Sequence, residues 1–142
     1  AIHHLEAQDV DIIILLCAGD FPDLVGHVPI VNPTDLAQKL LHAMGINQLA
    51  VISPIAIQIP PIKNKWRQAG FHPLVWVMPP KTTAKEQALW IDSQLEAHPE
   101  IICIVLDYVG YRRESVLTLQ KLVNKPVFDL GHLALSAVSS LL

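Results

Sequence analysis

Charge is scarce in this chain: Asp, Glu, Lys and Arg make up 16% of its 142 residues, against about 25% in an average soluble domain. The formal net charge is −3, with Lys and Arg dispersed, which argues against nucleic acid or an anionic membrane surface as the main partner. Cysteine is almost missing as well. Cys17 and Cys103 form no CxxC and stand in no Cys/His pair at ligand spacing, so the sequence points to a reducing compartment, read as the cytoplasm, and to no zinc site. No apolar run approaches the roughly 20 residues of a membrane span. Tandem repeats and low-complexity segments are absent too. The opening "AIHHLEAQDV" has neither an initiator Met nor a basic stretch ahead of an apolar core. It reads as a cut inside a longer chain rather than a signal peptide.

What the chain does have is grease, 51% apolar residues, dealt out as short β-rich runs between longer amphipathic stretches. Strands are expected over 12–17, 49–53, 74–78, 101–107 and 127–128, with an edge piece over 28–31. Most are continuously apolar, as strands covered on both faces are. Helices fit between them. One opens at "NPTD", where Asn32 offers a cap, and closes at Gly45. A second runs over 57–68, with Pro60 and Pro61 in its first turn or delaying its start. A third starts near Thr82 and Thr83, with Glu86 at capping-box spacing, and stops before Pro99. The last two are expected over 112–123 and 133–142. Strands alternating with helices of this length predict an α/β fold, a parallel sheet with helices on both faces in the flavodoxin-like manner. The first strand and its Pro-rich connection sit apart from the four later strands.

In an open parallel sheet, ligands bind at the carboxyl ends of the strands. That rule selects Cys17-Ala18-Gly19-Asp20, Ser53-Pro54, the loop from Asp107 to Tyr111, and Asp129-Leu130-Gly131-His132. Cys17 ends an apolar run near a helix start, where N–H groups can activate a thiol as nucleophile or base; the alternative is a small buried hydrophobe. Cys103, inside "IICIVL", reads as core. Asp20 can orient a ligand amine or cap a turn. Ser53 can offer a hydroxyl to a carboxylate or simply end its strand. Asp107 can serve a ligand or accept turn N–H groups. Tyr108 and Tyr111 can give phenols to a ligand or pack half-buried. Asp129 can line the site or cap the last helix, and His132 reads as a structural residue. Arg112 and Arg113 open a helix, where cations oppose the dipole, and reach for solvent or an anion.

Four segments, "DIIILLCAGDFP", "PIVNPTDLAQKLLHAMGINQLAVISP", "IVLDYVGYRRESVLTLQKLVNKPVF" and "DLGHLALSAVSSLL", taken in order, resemble the AroM family and, behind it, the aspartate/glutamate/hydantoin racemase superfamily. The resemblance covers nearly the whole chain, and its specificity lies in order and spacing. It implies a single α/β domain over 1–142, truncated at the N-terminus. Residues 1–31 would be the remnant of a first lobe, and 32–142 a racemase-like second lobe closed by a return helix. Racemases of the superfamily use two cysteines that face each other across the substrate's α-carbon, with loop amides holding its carboxylate and without metal or other cofactor. Cys17 matches the first position. The second falls in "LDYVGY", where relatives carry a cysteine and this chain has Tyr108. A phenol, with an ordinary pKa of about 10, replaces a thiolate poorly near neutrality. The resemblance thus implies a cofactor-independent racemase or isomerase ancestry. Cys17 would be catalytic, and Asp20, Ser53, Asp107, Tyr108, Tyr111 and Asp129 would surround a small carboxylate or aromatic metabolite. Non-catalytic metabolite binding and self-association into a homo-oligomer are the alternatives.

Overall fold

The computed structural model describes every residue except Asp20 and Pro22. A short helix α1 (Ile2–Glu6), which the sequence pattern did not suggest, precedes β1 (Ile13–Ile14) and β2 (Ile30–Val31). Then follow α2 (Pro33–Ala43), β3 (Gln48–Ser53), α3 (Ile59–Gln68), β4 (His72–Val77), α4 (Ala84–Ala97), β5 (Cys103–Leu106), α5 (Arg113–Leu122), β6 (Val127–Asp129) and α6 (Leu130–Ser139). The four later strands form a parallel sheet in the order β4-β3-β5-β6, and β1 and β2 pair in parallel as a separate two-stranded ladder. The expected α/β class is what the chain adopts.

Strand alternation divides the core. Ala50, Ile52, Ile104 and Leu106 point to one face, under Ile91 and Leu95 of α4 and Val116 and Leu119 of α5. Leu49, Val51, Cys103 and Val105 point to the other, under Ala37 and Leu41 of α2, Ile62 and Trp66 of α3 and Leu130 of α6. Right-handed crossovers explain the partition. The chain steps one way from β3 to β4 through α3, and the other way from β4 to β5 and on to β6 through α4 and α5. The step therefore reverses between β3 and β5. At such a reversal the flanking helices lie on opposite faces, and the loops beyond the two strands part to leave a crevice.

Local chemistry sets the boundaries. Asn32 accepts from the N–H groups of Thr34 and Asp35 ahead of Pro33, and Gly45 takes up φ 71° after α2. Thr83 and Glu86 complete the capping box of α4. Pro60 and Pro61 lie in the first turn of α3, after a 3-10 turn over Ala56–Gln58. Two expectations are corrected. The strand expected over 12–17 shrinks to two residues, because its partner β2 ends where Asn32 turns to cap α2; Leu16 is 73% exposed rather than buried. The last helix starts three residues earlier than expected, at Leu130, because Asp129 accepts the His132 N–H as its cap. Among the described residues no helix is long and apolar enough to cross a membrane.

Candidate functional site

The crevice beyond β3 and β5 is occupied by a cleft of about 260 Å³. Three stretches wall it: Leu16 to Gly19 after β1, Gln58, Pro61, Ile62 and Lys65 at the start of α3 and along it, and Asp107, Tyr108 and Val109 after β5. Cys17, Asp107 and Tyr108 thus share one cavity. The Cys17 thiol is exposed and its Sγ accepts the Gly19 N–H at 3.3 Å. Cys103 is fully buried as expected, and desolvation pushes its thiol up to about 12. The two sulfurs therefore have opposite surroundings.

Asp107 does not offer its carboxylate to the cavity. It is 2% exposed and held from behind by α3: Lys65 Nζ lies 3.0 Å from Oδ1 and 2.9 Å from Oδ2, and Trp66 Nε1 donates to Oδ2 at 2.6 Å. Lys65 also donates to the Ala18 carbonyl. Two of its N–H donors thus bond within the protein, to the Ala18 carbonyl and Asp107 Oδ1, and Oδ2 lies in ion-pair contact. Neither side chain is a free hook for a ligand. Lys65 escaped the reading of the sequence, in which an amphipathic helix carries several lysines without distinction.

Donors for an anion come instead from the backbone. Cys17 and Ala18 on one wall, and Tyr108 and Val109 on the other, give their N–H groups to no acceptor among the described residues. The start of α3 supplies less than an ordinary helix N-terminus, since Pro60 and Pro61 have no N–H. Between Gln58 and Lys65 that wall presents the apolar side chains of Pro61 and Ile62. Tyr108 is 39% exposed and meets Tyr111 edge-on, with centroids 5.5 Å apart.

The other expected site residues lie elsewhere. Ser53 is fully buried, its hydroxyl engaged with the backbone of Ile55. Tyr111 packs against the core face of α4 and α5, with its hydroxyl buried and unpartnered among the described residues. Burial, and then the nearby Asp129 carboxylate, raise its phenol far above the ordinary range. Asp129 gives one oxygen to the α6 cap and leaves Oδ1 buried without a partner among the described residues; burial holds its carboxyl above the usual value, against the pull of the His132 N–H. Asp20 lies outside the described residues. No group of three His, Cys, Asp or Glu among the described residues is arranged to hold a metal ion.

This architecture is that of the racemase-like α/β proteins. A crystal structure of arylmalonate decarboxylase superposes with a TM-score of 0.74 at 13% identity, over 97% of this chain and 70% of that one. The glutamate racemase from Aquifex pyrophilus matches at 0.58 and 14%, over 99% of this chain and 63% of its own. A maleate isomerase from Pseudomonas putida S16, solved with maleate, matches at 0.55 and 12%, over 80% and 49%. No curated protein matches the chain in sequence. The chain belongs to the AroM family, whose description, AroM protein, fits residues 1–142.

Proposed function

We propose that the cleft binds a small carboxylate, and that Cys17 carries a proton to or from the carbon next to it, without a metal or other cofactor. One observation carries the reading: the exposed thiol of Cys17 shares a cavity at the strand-order reversal with backbone N–H groups left free on both walls. Free N–H groups can hold a carboxylate and stabilise charge that develops on it when a proton leaves the adjacent carbon. Support comes also from the structural neighbours, whose names specify an arylmalonate, maleate and glutamate, all carboxylates. The apolar wall of Pro61, Ile62 and Leu16, together with Tyr108, offers room for an aryl or short alkyl group.

The test is a panel of aryl malonates, maleate and aromatic amino acids in deuterated water, read by NMR for exchange or product. Turnover of one member, abolished by Cys17→Ser, is the expected result. No turnover of any member by the parent chain would remove the catalytic reading. A second reading, binding without catalysis, is favoured by Tyr108, which stands where the family resemblance calls for a second thiol. It expects a panel member to protect Cys17 saturably from iodoacetamide while leaving every substrate hydrogen in place.

A further inference from the structure

We propose that Lys65 is the positioning residue of the cleft, setting the gap between Cys17 and Tyr108. The role rests on the cleft being the functional site. The need for such a residue follows from topology. Tyr108 follows β5, whose place is fixed by ladders to β3 and β6. Cys17 follows β1, whose only ladder among the described residues is two residue pairs with β2. No strand register relates one wall to the other, so side chains must do it.

Lys65 is where they meet. From α3, its ammonium reaches the Ala18 carbonyl, next to Cys17, and both oxygens of Asp107, next to Tyr108. One cation thus joins the residues adjoining the two candidate reactive groups. The anchor is rigid at both ends. Trp66, fully buried, grips the same carboxylate, and Thr34 of α2, 4% exposed, donates to the same Ala18 carbonyl at 3.3 Å. The Lys65 side chain is itself 9% exposed and that of Asp107 1%, so water competes little for these bonds. The position of Lys65 between the cleft and a second, more polar hollow lined by Asn32, Thr34 and Asp35 fits a strut in a wall.

Hydrogen exchange read by mass spectrometry tests the role, with iodoacetamide as a probe of Cys17. Lys65→Met alone would strand the Asp107 charge, so the working variant is Lys65→Met with Asp107→Asn, which leaves Trp66 an acceptor. The bonded amides of Leu15 and Gly19 are expected to exchange at least about tenfold faster, and Cys17 to alkylate at a changed rate, while residues 49–52 and Cys103 stay as in the parent. Lys65→Arg, which keeps a cation in reach of Asp107, is expected to restore most of the protection. Unchanged exchange of Leu15 and Gly19 in the double variant, or equal loosening of residues 49–52, would overturn the assignment. These readouts need no substrate, so a cleft without turnover leaves them informative.

Discussion

At the scale of single residues, the site is governed by what cannot be left alone in the interior. Asp107 is nearly sealed from water, with its carboxyl held against Lys65 and Trp66. Removing one member of such a buried pair typically costs about 3–5 kcal/mol, because the survivor is uncompensated. Gly110 shows the opposite situation, in which absence of a side chain makes room. A Cβ there would fall within 2.5 Å of the Tyr108 ring, so Gly110→Ala must turn that ring and disturb its edge contact with Tyr111. An edge-on aromatic pair contributes about 0.5–1.5 kcal/mol, and a loss of about 1 kcal/mol is expected in denaturant melts. In a Tyr108→Ala background the same substitution should cost almost nothing. A cost that persists there would place the strain in the backbone instead.

At the scale of elements, Asp129 links a helix start to pH. Burial holds its carboxyl above the usual carboxylate range in the folded chain. The folded state therefore keeps a proton that the unfolded state releases, and stability falls as pH rises from the ordinary Asp value, about 3.9, through the raised one. Asn at this position still accepts the His132 N–H as a cap but cannot ionise. The melting temperature of Asp129→Asn relative to the parent should therefore be higher at pH 7 than at pH 4; a constant difference would mean that the carboxylate is no burden. Apolar periodicity, turn residues and caps made the later strands and α2 to α5 legible, down to the Thr83–Glu86 box. Where an element's end depended on a distant partner, the reading failed. β1 stops because β2 stops, whereas the cap of α6 is local, and Asp129 could be read as its candidate. Lys65 was invisible for the same reason, since its acceptors lie 42 and 47 residues away. The positions of Cys17 and Tyr108 at strand ends could be read, but not which of the neighbouring polar residues would share their cavity.

At the scale of the whole molecule, the order β4-β3-β5-β6 opens the crevice, and the separate β1–β2 ladder supplies its far wall. Apolar side chains also remain uncovered, among them Leu16 and Leu89, 73% and 72% exposed, while β4 leaves one edge of the sheet unpaired. We propose that the chain self-associates. Sedimentation equilibrium at micromolar concentrations is expected to give a mass above the 15.7 kDa of one chain, and a monomer across that range would refute it.

The reach of Lys65 also ties distant stretches of the chain to one atom. Ala18 lies 47 residues before it and Asp107 42 residues after it, so a single ammonium closes two loops that meet on α3. Cys103 is enclosed by strand pairing, whereas Cys17 owes its surroundings to side chains of α2 and α3 that hold the neighbouring Ala18 carbonyl. Native surroundings for Cys17 thus require α2, α3 and the loop after β5 to be assembled together, and its reactivity reports on all three at once.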